Sequence, residues 1–364
     1  MKVIVSRQEL VTLLGKIQNI VPARPSLPVV ANVLIEAVHD QLVFTVTDLT
    51  VSAKAYVEAK VLAEGAVALP AKRLFQLIRE LTSPQIEIDC ASSEVAHLHA
   101  GSSHFRIQGM SKEGFPEVAM LRTEPTFSIG AEDLRELLSR AIFAAAREDE
   151  RHILNGVFMH CSHDVVLCTA TDSKRLAQTR ISIPGADMQE GNYLIPLKTV
   201  DEMIRILEGD KAFVYLMPDR IGLEIGPFIL ISKLLAGPYP DVADIIPDSK
   251  GSPIPLHKEE LTSLLRQVSL FASEEGKSAR FSFTPGMLQL NAMNGEVGEG
   301  KVHMPIHYAG PPLDIAFNPL YFLDIIRHIL SELLYFEATD SYSPGLITDS
   351  TSARFVLMPM RLDK

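Results

Sequence analysis

The chain has 364 residues, of which 47% are apolar and 22% charged, and its net charge at pH 7 is −11. This is an ordinary globular composition, and the length fits two to three domains. The absence of an 18-residue apolar run excludes a membrane span, and MKVIVSRQEL reaches charged residues too early for a signal peptide. Three cysteines without a CxxC pair also fit a reducing compartment, so the sequence predicts a cytoplasmic protein.

The first predicted elements are a helix over 6–20, strands rich in β-branched residues, and a second helix over 72–81. Ser6 begins a capping-box pattern, and Pro70 lies near the start of the second helix. The apolar alternation changes phase near Asp48, which predicts a bulge or a turn there. A hairpin with the sequence SEVAHLHAGSSHFRIQGM follows.

The same order of elements then recurs twice. The further predicted helices cover 131–147, 197–208, 257–271 and 319–332. Pro70, Pro196 and Pro319 open equivalent helices and are 126 and 123 residues apart, whereas Asp48 and Asp172 are 124 apart in equivalent Thr-Asp phrases. This period is far longer than that of a solenoid repeat. The sequence therefore predicts three domains, 1–122, 126–248 and 253–364, with linkers at 121–126 and 249–255. Each is an α+β unit of two helices packed on antiparallel sheets.

The charge is unevenly distributed between the predicted helices and the rest of the chain. The six helices hold 13 Lys and Arg against 12 Asp and Glu, which leaves a net charge of −12 for all other residues. A negative protein usually lacks the basic face that nucleic acid requires. A shared helical surface would nevertheless be far less acidic than the remainder, although ordinary solvated helix faces explain the same numbers.

No catalytic constellation is convincing. His160, Cys161, His163 and Cys168 are close in sequence, but zinc ligands usually come as more widely spaced pairs, so exposed histidines and buried thiols explain them better. Asp48 and Asp172 lack a partner acid or base nearby in sequence. An Asp-turn or an ion pair is therefore the better interpretation of both carboxylates, and no cofactor is predicted.

The chain end RFVLMPMRLDK is unusually apolar for a terminus. It is explained equally well by a last core strand and by a Met-rich wall of a binding groove.

These phrases together resemble the sliding-clamp family, the beta subunits of bacterial DNA polymerase III. The resemblance covers the whole length, from MKVIVSRQEL through RPSLPVVANVLI, TDLTVSA, LPAKRLFQLIREL, LNGV, TATDSKRLA, IPLKTV and YPDV to MPMRL. It implies three clamp domains per chain and a closed head-to-tail homodimeric ring, lined by helices, that slides on duplex DNA. It also implies a clamp loader, tethered polymerases including polymerase III alpha, repair and ligation proteins, and no catalysis.

The resemblance further implies three groups of site residues. The DNA-binding group is Arg24, Lys16, Lys72, Arg79, Arg140, Arg147, His152, Lys198 and Arg205. The dimer interface is Arg73, Phe105, Leu270, Phe271, Glu296 and Glu299, with His104 beside Arg73. The cleft that accepts linear partner peptides is Leu154, Thr171, Ser173, Lys174, Arg175, Leu176, Pro240, Ile245, Tyr342, Pro344, Val356, Met358, Pro359, Met360, Arg361 and Leu362.

The sequence departs from the family pattern at a few positions. Asp244 stands where a basic residue is frequent, and His152 and Ile153 replace two tyrosines that contact DNA in some members. Asp363 and Lys364 extend the usual ending.

Two other functions remain open at this point. One is an enzyme that uses Asp48 or Asp172 with a histidine, and the other is a monomeric repeat adaptor that binds no DNA.

Overall fold

The computed structural model describes residues 1–92, 94–119, 121, 124–247, 253–272 and 277–361. Leu362, Asp363 and Lys364 lie outside the described residues, as do 122–123 and 249–252 of the two predicted linkers. The described chain is mixed α+β, and none of its helices is long and apolar enough to cross a membrane.

The described residues form six α-helices, as the sequence predicts. They are α1 (Arg7–Ile17), α2 (Ala71–Glu80), α3 (Ala131–Ile142), α4 (Leu197–Ile206), α5 (Lys258–Ser269) and α6 (Pro319–Arg327). The helices end before the predicted limits because their last turns tighten. After α3, for example, the amide of Ala144 donates to the carbonyl of Ala141 at 3.2 Å, an i→i+3 bond. Apolar periodicity continues through such turns, so it overestimates helix length.

Twenty-four strands accompany these helices in the described chain. The first twelve are β1 (Lys2–Ser6), β2 (Asn32–Val38), β3 (Gln41–Thr47), β4 (Val51–Ala63), β5 (Gly65–Pro70), β6 (Gln85–Ser92), β7 (Val95–Ala100), β8 (Ser103–Gln108), β9 (Phe127–Gly130), β10 (Gly156–His163), β11 (Val165–Thr171) and β12 (Arg175–Ser182). The others are β13 (Met188–Pro196), β14 (Lys211–Leu216), β15 (Arg220–Ile225), β16 (Phe228–Lys233), β17 (Ile254–His257), β18 (Ala279–Thr284), β19 (Met287–Asn294), β20 (Gly298–Pro305), β21 (Leu313–Phe317), β22 (Leu333–Glu337), β23 (Gly345–Thr348) and β24 (Arg354–Leu357).

Unit 1 is a compact body that comprises Met1–Arg135 and Lys198–Leu234. Its main sheet runs β8-β7-β6-β1-β4-β16-β15-β14-β9, with β2, β3 and β5 paired beside β4. Helix α1 packs on α2 and β4 through fully buried leucines such as Leu10 and Leu14. The side chain of Ser6 accepts a hydrogen bond from the amide of Glu9, as the capping-box pattern predicts.

Unit 2 is a second compact body that comprises Glu136–Leu197 and Leu235–Lys364. It contains an eight-stranded sheet, β13-β10-β11-β12-β24-β23-β22-β17, and a four-stranded sheet, β20-β19-β18-β21. Helix α5 packs on α6, β19 and β20. The core includes stacked phenylalanines: Phe281 lies on Phe322 and Phe283 on Phe336, with ring centroids 5.5 and 5.2 Å apart.

The two units divide the second predicted repeat between them. This happens because strands of adjoining repeats pair into common sheets, which sequence periodicity does not reveal. The boundaries 1–122, 126–248 and 253–364 therefore stay a prediction.

The Thr-Asp phrase forms the same turn in the first two repeats. The Asp48 carboxylate accepts hydrogen bonds from the amides of Thr50 and Val51, and that of Asp172 accepts them from the amides two and three residues further on. These are Asp-turns, so the expected turn near Asp48 is confirmed. In the third repeat Asn294 takes this position and accepts a hydrogen bond from the amide of Glu296 at 2.9 Å.

Adjoining repeats are joined by the same kind of strand pairing at two places. In unit 1, β4 pairs antiparallel with β16 and places Ala53 opposite Leu230. In unit 2, β12 pairs antiparallel with β24 and places Ala177 opposite Phe355. All four residues are buried, so a small residue faces a large apolar one at each junction.

The strands equivalent to these partners in the other repeats, β8 and β20, lie at the ends of their sheets. Counted from the tight hairpin turn, Phe105 of β8 corresponds to Leu230 of β16. Gly300 of β20 corresponds to Ala177. Gly300 pairs with Ala292 and Ala177 pairs with Ala170, and each of these partners lies two residues before the Asx residue of its turn. Each unit thus presents one unpaired edge strand with the junction pattern.

Candidate functional site

Unit 2 contains an apolar cavity of about 260 Å³ at the junction of β12 and β24. Its lining consists of Arg151, Ile153, Leu154, Thr171, Ser173, Arg175, Leu176, Pro240, Val242, Ile245, Val356 and Met358. Leu176, Leu346 and Val356 form a buried apolar cluster here, against which Val242 and Ile246 pack. The cavity is therefore a lined apolar groove rather than a shallow surface depression.

The turn between β11 and β12 shapes one wall of this cavity. The hydroxyl of Thr171 donates to the carbonyl of Arg175 at 2.7 Å and accepts from the amide of Ser173 at 3.1 Å. Ser173 adopts a positive φ of 68°, which its place in the Asx turn stabilises. The backbone amide of Met358 in turn donates to the carbonyl of Lys174 at 2.9 Å. Both walls are thus tied together by backbone hydrogen bonds.

The cations at the cavity are already paired. Arg175 bonds to Asp172 at 3.2 Å and to Asp324 at 2.6 Å, and its guanidinium lies 4.6 Å from the centroid of Tyr321. Arg151 forms two hydrogen bonds, each of 3.0 Å, to the Asp149 carboxylate. These bonds lower the pKa of Asp149 to about 2. The groove is therefore mainly an apolar binding surface rimmed by fixed charges.

Nine of the sixteen residues expected in the cleft line this cavity. They are Leu154, Thr171, Ser173, Arg175, Leu176, Pro240, Ile245, Val356 and Met358. Lys174, Tyr342, Pro344, Pro359, Met360 and Arg361 do not, and Leu362 lies outside the described residues. Sequence reasoning did not name Arg151 or Val242, although Val242 belongs to the repeated Pro-x-Val phrase. It named Ile153 only as the replacement of a tyrosine that contacts DNA in some relatives.

The apolar chain end serves two purposes. Val356 and Leu357 belong to the buried strand β24, whereas Met358 lies in the cavity wall. The amide of Met360 donates to the carbonyl of Ala316 at 2.8 Å, which anchors the end of the chain to strand β21.

Arg140 is a correction among the residues expected to bind DNA. Its side chain is only 6% exposed and pairs with the fully buried carboxylate of Asp349 at 2.6 Å. It also donates to the carbonyl of His328 at 2.9 Å and to the hydroxyl of Thr351 at 2.9 Å. The guanidinium of Arg140 is therefore buried and paired inside unit 2, and it is not free to contact a phosphate.

The other expected DNA contacts fall into two classes. Lys16 pairs with Glu208 at 2.7 Å, and Lys198 pairs with Asp48, so both are held by carboxylates within unit 1. The exposed members are Arg24, Lys72, Arg79, Arg147, His152 and Arg205. Two of these also form ion pairs within unit 1, Arg79 with Glu80 at 3.3 Å and Arg205 with Glu202 at 3.2 Å.

The residues expected at a dimer interface are largely exposed. Leu270 is 74% exposed and Phe105 36% exposed. Phe271 is half-buried, and its ring lies against Gly300, where a Cβ atom would overlap it. The expected charged residues Arg73, His104, Glu296 and Glu299 are also exposed.

The cysteines considered as metal ligands and the aspartates considered as catalytic groups have structural roles. Cys90, Cys161 and Cys168 are buried and unpaired, and burial raises the pKa of the Cys161 thiol to about 12. Among the residues described, no group of three or more His, Cys, Asp or Glu side chains could hold a metal ion. Asp48 and Asp172 are held in Asx turns and ion pairs, as the sequence suggests.

His328 makes stability dependent on pH. Its ring stacks on Phe143 with centroids 4.3 Å apart, and burial, aided by the charge of Arg140, lowers its pKa to about 4. Because the pKa is lower in the folded chain, the His328 contribution is complete above pH 6.5 and is lost as the pH falls toward 4. We expect thermal unfolding scans to show a falling Tm in this window, and a smaller fall for His328→Phe, which keeps the stacked ring. Equal losses in both proteins would contradict this assignment.

Comparisons with known proteins agree along the whole chain. Models of the N-terminal, central and C-terminal domains of the DNA polymerase III beta subunit match residues 1–119, 128–241 and 243–361. The beta sliding clamp of Chlamydia muridarum is 45% identical over 363 residues, covering 100% of this chain and 99% of that protein.

The chain belongs to the beta sliding clamp family of DNA polymerase III subunits.

Solved sliding clamps have the same fold. The beta subunit from Pseudomonas aeruginosa superposes with a TM-score of 0.93 at 28% identity, and that from Thermotoga maritima with 0.93 at 26% identity. Each comparison covers 100% of both chains. The sequence-based identification and the α+β class with three clamp domains are thus confirmed. Sliding clamps are processivity factors without catalytic activity, so the enzyme alternative is excluded.

Proposed function

We propose that two copies of this sliding clamp close head to tail into a ring around duplex DNA, and that the cavity of unit 2 tethers replication and repair proteins through linear peptides. Head-to-tail contacts form a closed assembly when the rotation closes, and two chains of three repeats supply six junctions. Four of these are the strand junctions β4–β16 and β12–β24, two in each chain.

The two remaining junctions would join β20 of one protomer to β8 of its partner. With the internal register, Gly300 would lie opposite Phe105 of the partner subunit, as Ala53 lies opposite Leu230 and Ala177 opposite Phe355. A small residue would again face a large apolar one. This repeated register is the single observation that carries the ring proposal.

Side chains at the two edges support this register. Phe355 packs on Phe143 after helix α3, with centroids 5.9 Å apart. Leu270 follows α5 at the equivalent place and would cover the partner's Phe105 in the same way. In this register Glu299 would lie opposite the partner's Arg106 and form a complementary cross-strand pair.

The DNA surface we propose consists of cations that remain exposed. These are Arg24, Lys72, Arg79, Arg147, His152 and Arg205. Lys16 and Lys198 are paired with carboxylates and would contribute less, and Arg140 is removed from the group. Contacts of exposed cations with phosphates neither read nor require a base sequence, as sliding demands.

The tethering role rests on the apolar cavity, which is lined by nine of the expected cleft residues. Peptides bind such grooves through a few apolar anchors, and clusters of Leu, Val and Met suit aliphatic or aromatic ones. The expected partners are a clamp loader, polymerase III alpha and other polymerases, and repair and ligation proteins. We also expect the protein to act in the bacterial cytoplasm, at the nucleoid during replication.

A fluorescence anisotropy titration tests the tethering role. A labelled peptide of the Gln-Leu-x-Leu-Phe kind should bind the wild type saturably, and Met358→Ala should weaken binding by about 1–3 kcal/mol, the scale of a groove anchor.

Met287→Ala is the matched control, because Met287 is 39% exposed and Met358 36% exposed, but only Met358 lines the cavity. The tethering proposal fails if the folded wild type does not bind, or if the two substitutions weaken binding equally.

A further inference from the structure

Unit 1 contains a second cavity, of about 270 Å³, almost equal to the proposed cleft at about 260 Å³. Its lining consists of Ser52, Lys54, Tyr56, Val118, Ala119, Leu121, Tyr215, Glu224, Ile229 and Ile231. We call this cavity the junction pocket, because it lies where β4 pairs with β16.

The junction pocket and the cleft are equivalent places in the repeat. β4 and β16 correspond to β12 and β24, and Ile231 corresponds to Val356 in the paired register. Val118 follows Pro116 as Val242 follows Pro240, and the two prolines are 124 residues apart. Both cavities are therefore formed by the same three parts: a strand that follows an Asx turn, the second strand of a hairpin, and the segment that carries the Pro-x-Val phrase.

The floors of the two cavities differ. Leu176 and Leu346 of the cleft are replaced by Ser52 and Gly222 in the junction pocket. A Cβ atom at Gly222 would overlap the side chain of Leu121, so the absence of a side chain at Gly222 leaves room for this leucine. The junction pocket is consequently less apolar at its floor than the cleft.

The walls of the junction pocket carry a carboxylate between two phenols. The hydroxyl of Tyr215 donates to Glu224 at 2.6 Å. Burial, together with this bond and the charge of Glu224, raises the pKa of Tyr215 to about 12, and burial and the same charge raise the pKa of Tyr56. No Lys, Arg or His nitrogen of the described residues forms an ion pair with Glu224 within 4.0 Å.

The remaining wall is aliphatic and leads to Lys54. Ile229 lies between Lys54 and Glu224 in the sheet register, and Ile231 lies beside it on the same face. An occupant that matches this surface carries its own cation near Glu224 and an aliphatic group over the isoleucines. Tyrosine faces also favour cations, which strengthens this match.

We propose that the junction pocket is a second peptide-binding site, which takes a short protein segment with an Arg or Lys next to an aliphatic residue. The basic side chain would pair with Glu224 between Tyr56 and Tyr215, and the aliphatic side chain would lie on Ile229 and Ile231. The comparison of the two cavities rests on the proposed cleft, but binding here is measured separately. The two sites would thus accept chemically different segments on one clamp.

Methyl NMR of the full chain, labelled at Ile, Leu and Val, tests this proposal with acetyl-Arg-Leu-amide as the probe. We expect saturable shifts of the Ile229, Ile231 and Val118 methyl groups, with a dissociation constant on the order of 1 mM, as befits a fragment. Glu224→Gln should weaken binding about tenfold, the effect of losing one charge-assisted bond. Glu190→Gln, at an exposed strand position, should leave binding unchanged.

The same spectra separate this proposal from the cleft. Val356 and Leu176 report the cleft, so shifts there without shifts at Ile229 and Ile231 overturn the second site while leaving the first intact. Absence of shifts in unit 1 at ten times the expected dissociation constant also overturns it, as does equal weakening by Glu224→Gln and Glu190→Gln. Met358→Ala should alter only the response of the cleft to its own peptide.

Discussion

Leu270→Lys should convert the proposed dimer into a monomer. Leu270 is 74% exposed in the single chain, so its replacement should leave the fold intact, whereas in the proposed ring it would bury a lysine against Phe105 of the partner subunit. Loss of an apolar anchor and burial of an unpaired charge together predict a loss of about 4 kcal/mol, close to a thousandfold in the dimer dissociation constant. The molecular mass measured by light scattering after gel filtration should fall from twice 40.1 kDa for the wild type to 40.1 kDa for the variant, at micromolar concentration.

Leu62→Lys is the matched control for this experiment. Leu62 is 50% exposed and lies on β4, in an unrelated part of unit 1. The control should remain a dimer. If Leu270→Lys also remains a dimer, or if the wild type is a monomer, the proposed interface is wrong and the adaptor alternative returns.

Asp349→Ala should strongly lower the free energy of unfolding, far more than a change at an exposed ion pair. It removes the carboxylate that lies 2.6 Å from the guanidinium of Arg140 and leaves a cation that is only 6% exposed without its main partner. Breaking a buried pair from one side costs about 3–5 kcal/mol. Urea unfolding of the full chain should show this loss. Glu132→Ala should cost less than about 0.5 kcal/mol, because it removes only an exposed pair with Arg135 at 3.7 Å.

The same comparison tests the correction at Arg140. Burial opposes the charge of Asp349, but hydrogen bonds from Thr351 and Leu330 outweigh it and lower the pKa of this carboxyl group. The double change Arg140→Met with Asp349→Leu should recover most of the stability, because apolar residues often replace a buried pair without loss. If this double variant is stable but binds DNA less tightly than the wild type, Arg140 belongs to the DNA surface after all.

Local signals in the sequence predicted local structure well. Ser6 caps α1, and the Thr-Asp phrases form Asx turns, because these features depend on residues only two or three positions apart. The strand junctions could not be predicted from the sequence, because β4 and β16 are separated by more than 160 residues and no local residue pattern indicates that they pair. For the same reason, the sequence did not reveal that adjoining repeats share sheets.

The site was predictable from the resemblance only in outline. Met358 and Met360 look alike in MPM, but the structure places Met358 in the cavity wall, whereas the backbone of Met360 is tied to Ala316. Arg140 follows the same helical spacing as exposed cations, and only the distant Asp349 reveals its role. Side chains that meet through tertiary contacts cannot be sorted by spacing alone.

The most direct test of the ring is covalent closure on DNA. In the proposed register Lys301 lies opposite His104 of the partner subunit, at a cross-strand spacing that a disulfide can bridge. A chain with Lys301→Cys and His104→Cys, incubated with DNA and then oxidised, should stay on a circular duplex at high salt. It should be released by linearising that duplex or by reducing the bonds.

The native chain is the control, because its three cysteines are buried. A closed ring should be retained on circular but not on linear DNA. Equal retention on both forms, or no crosslinked dimer, would contradict a ring that encircles DNA.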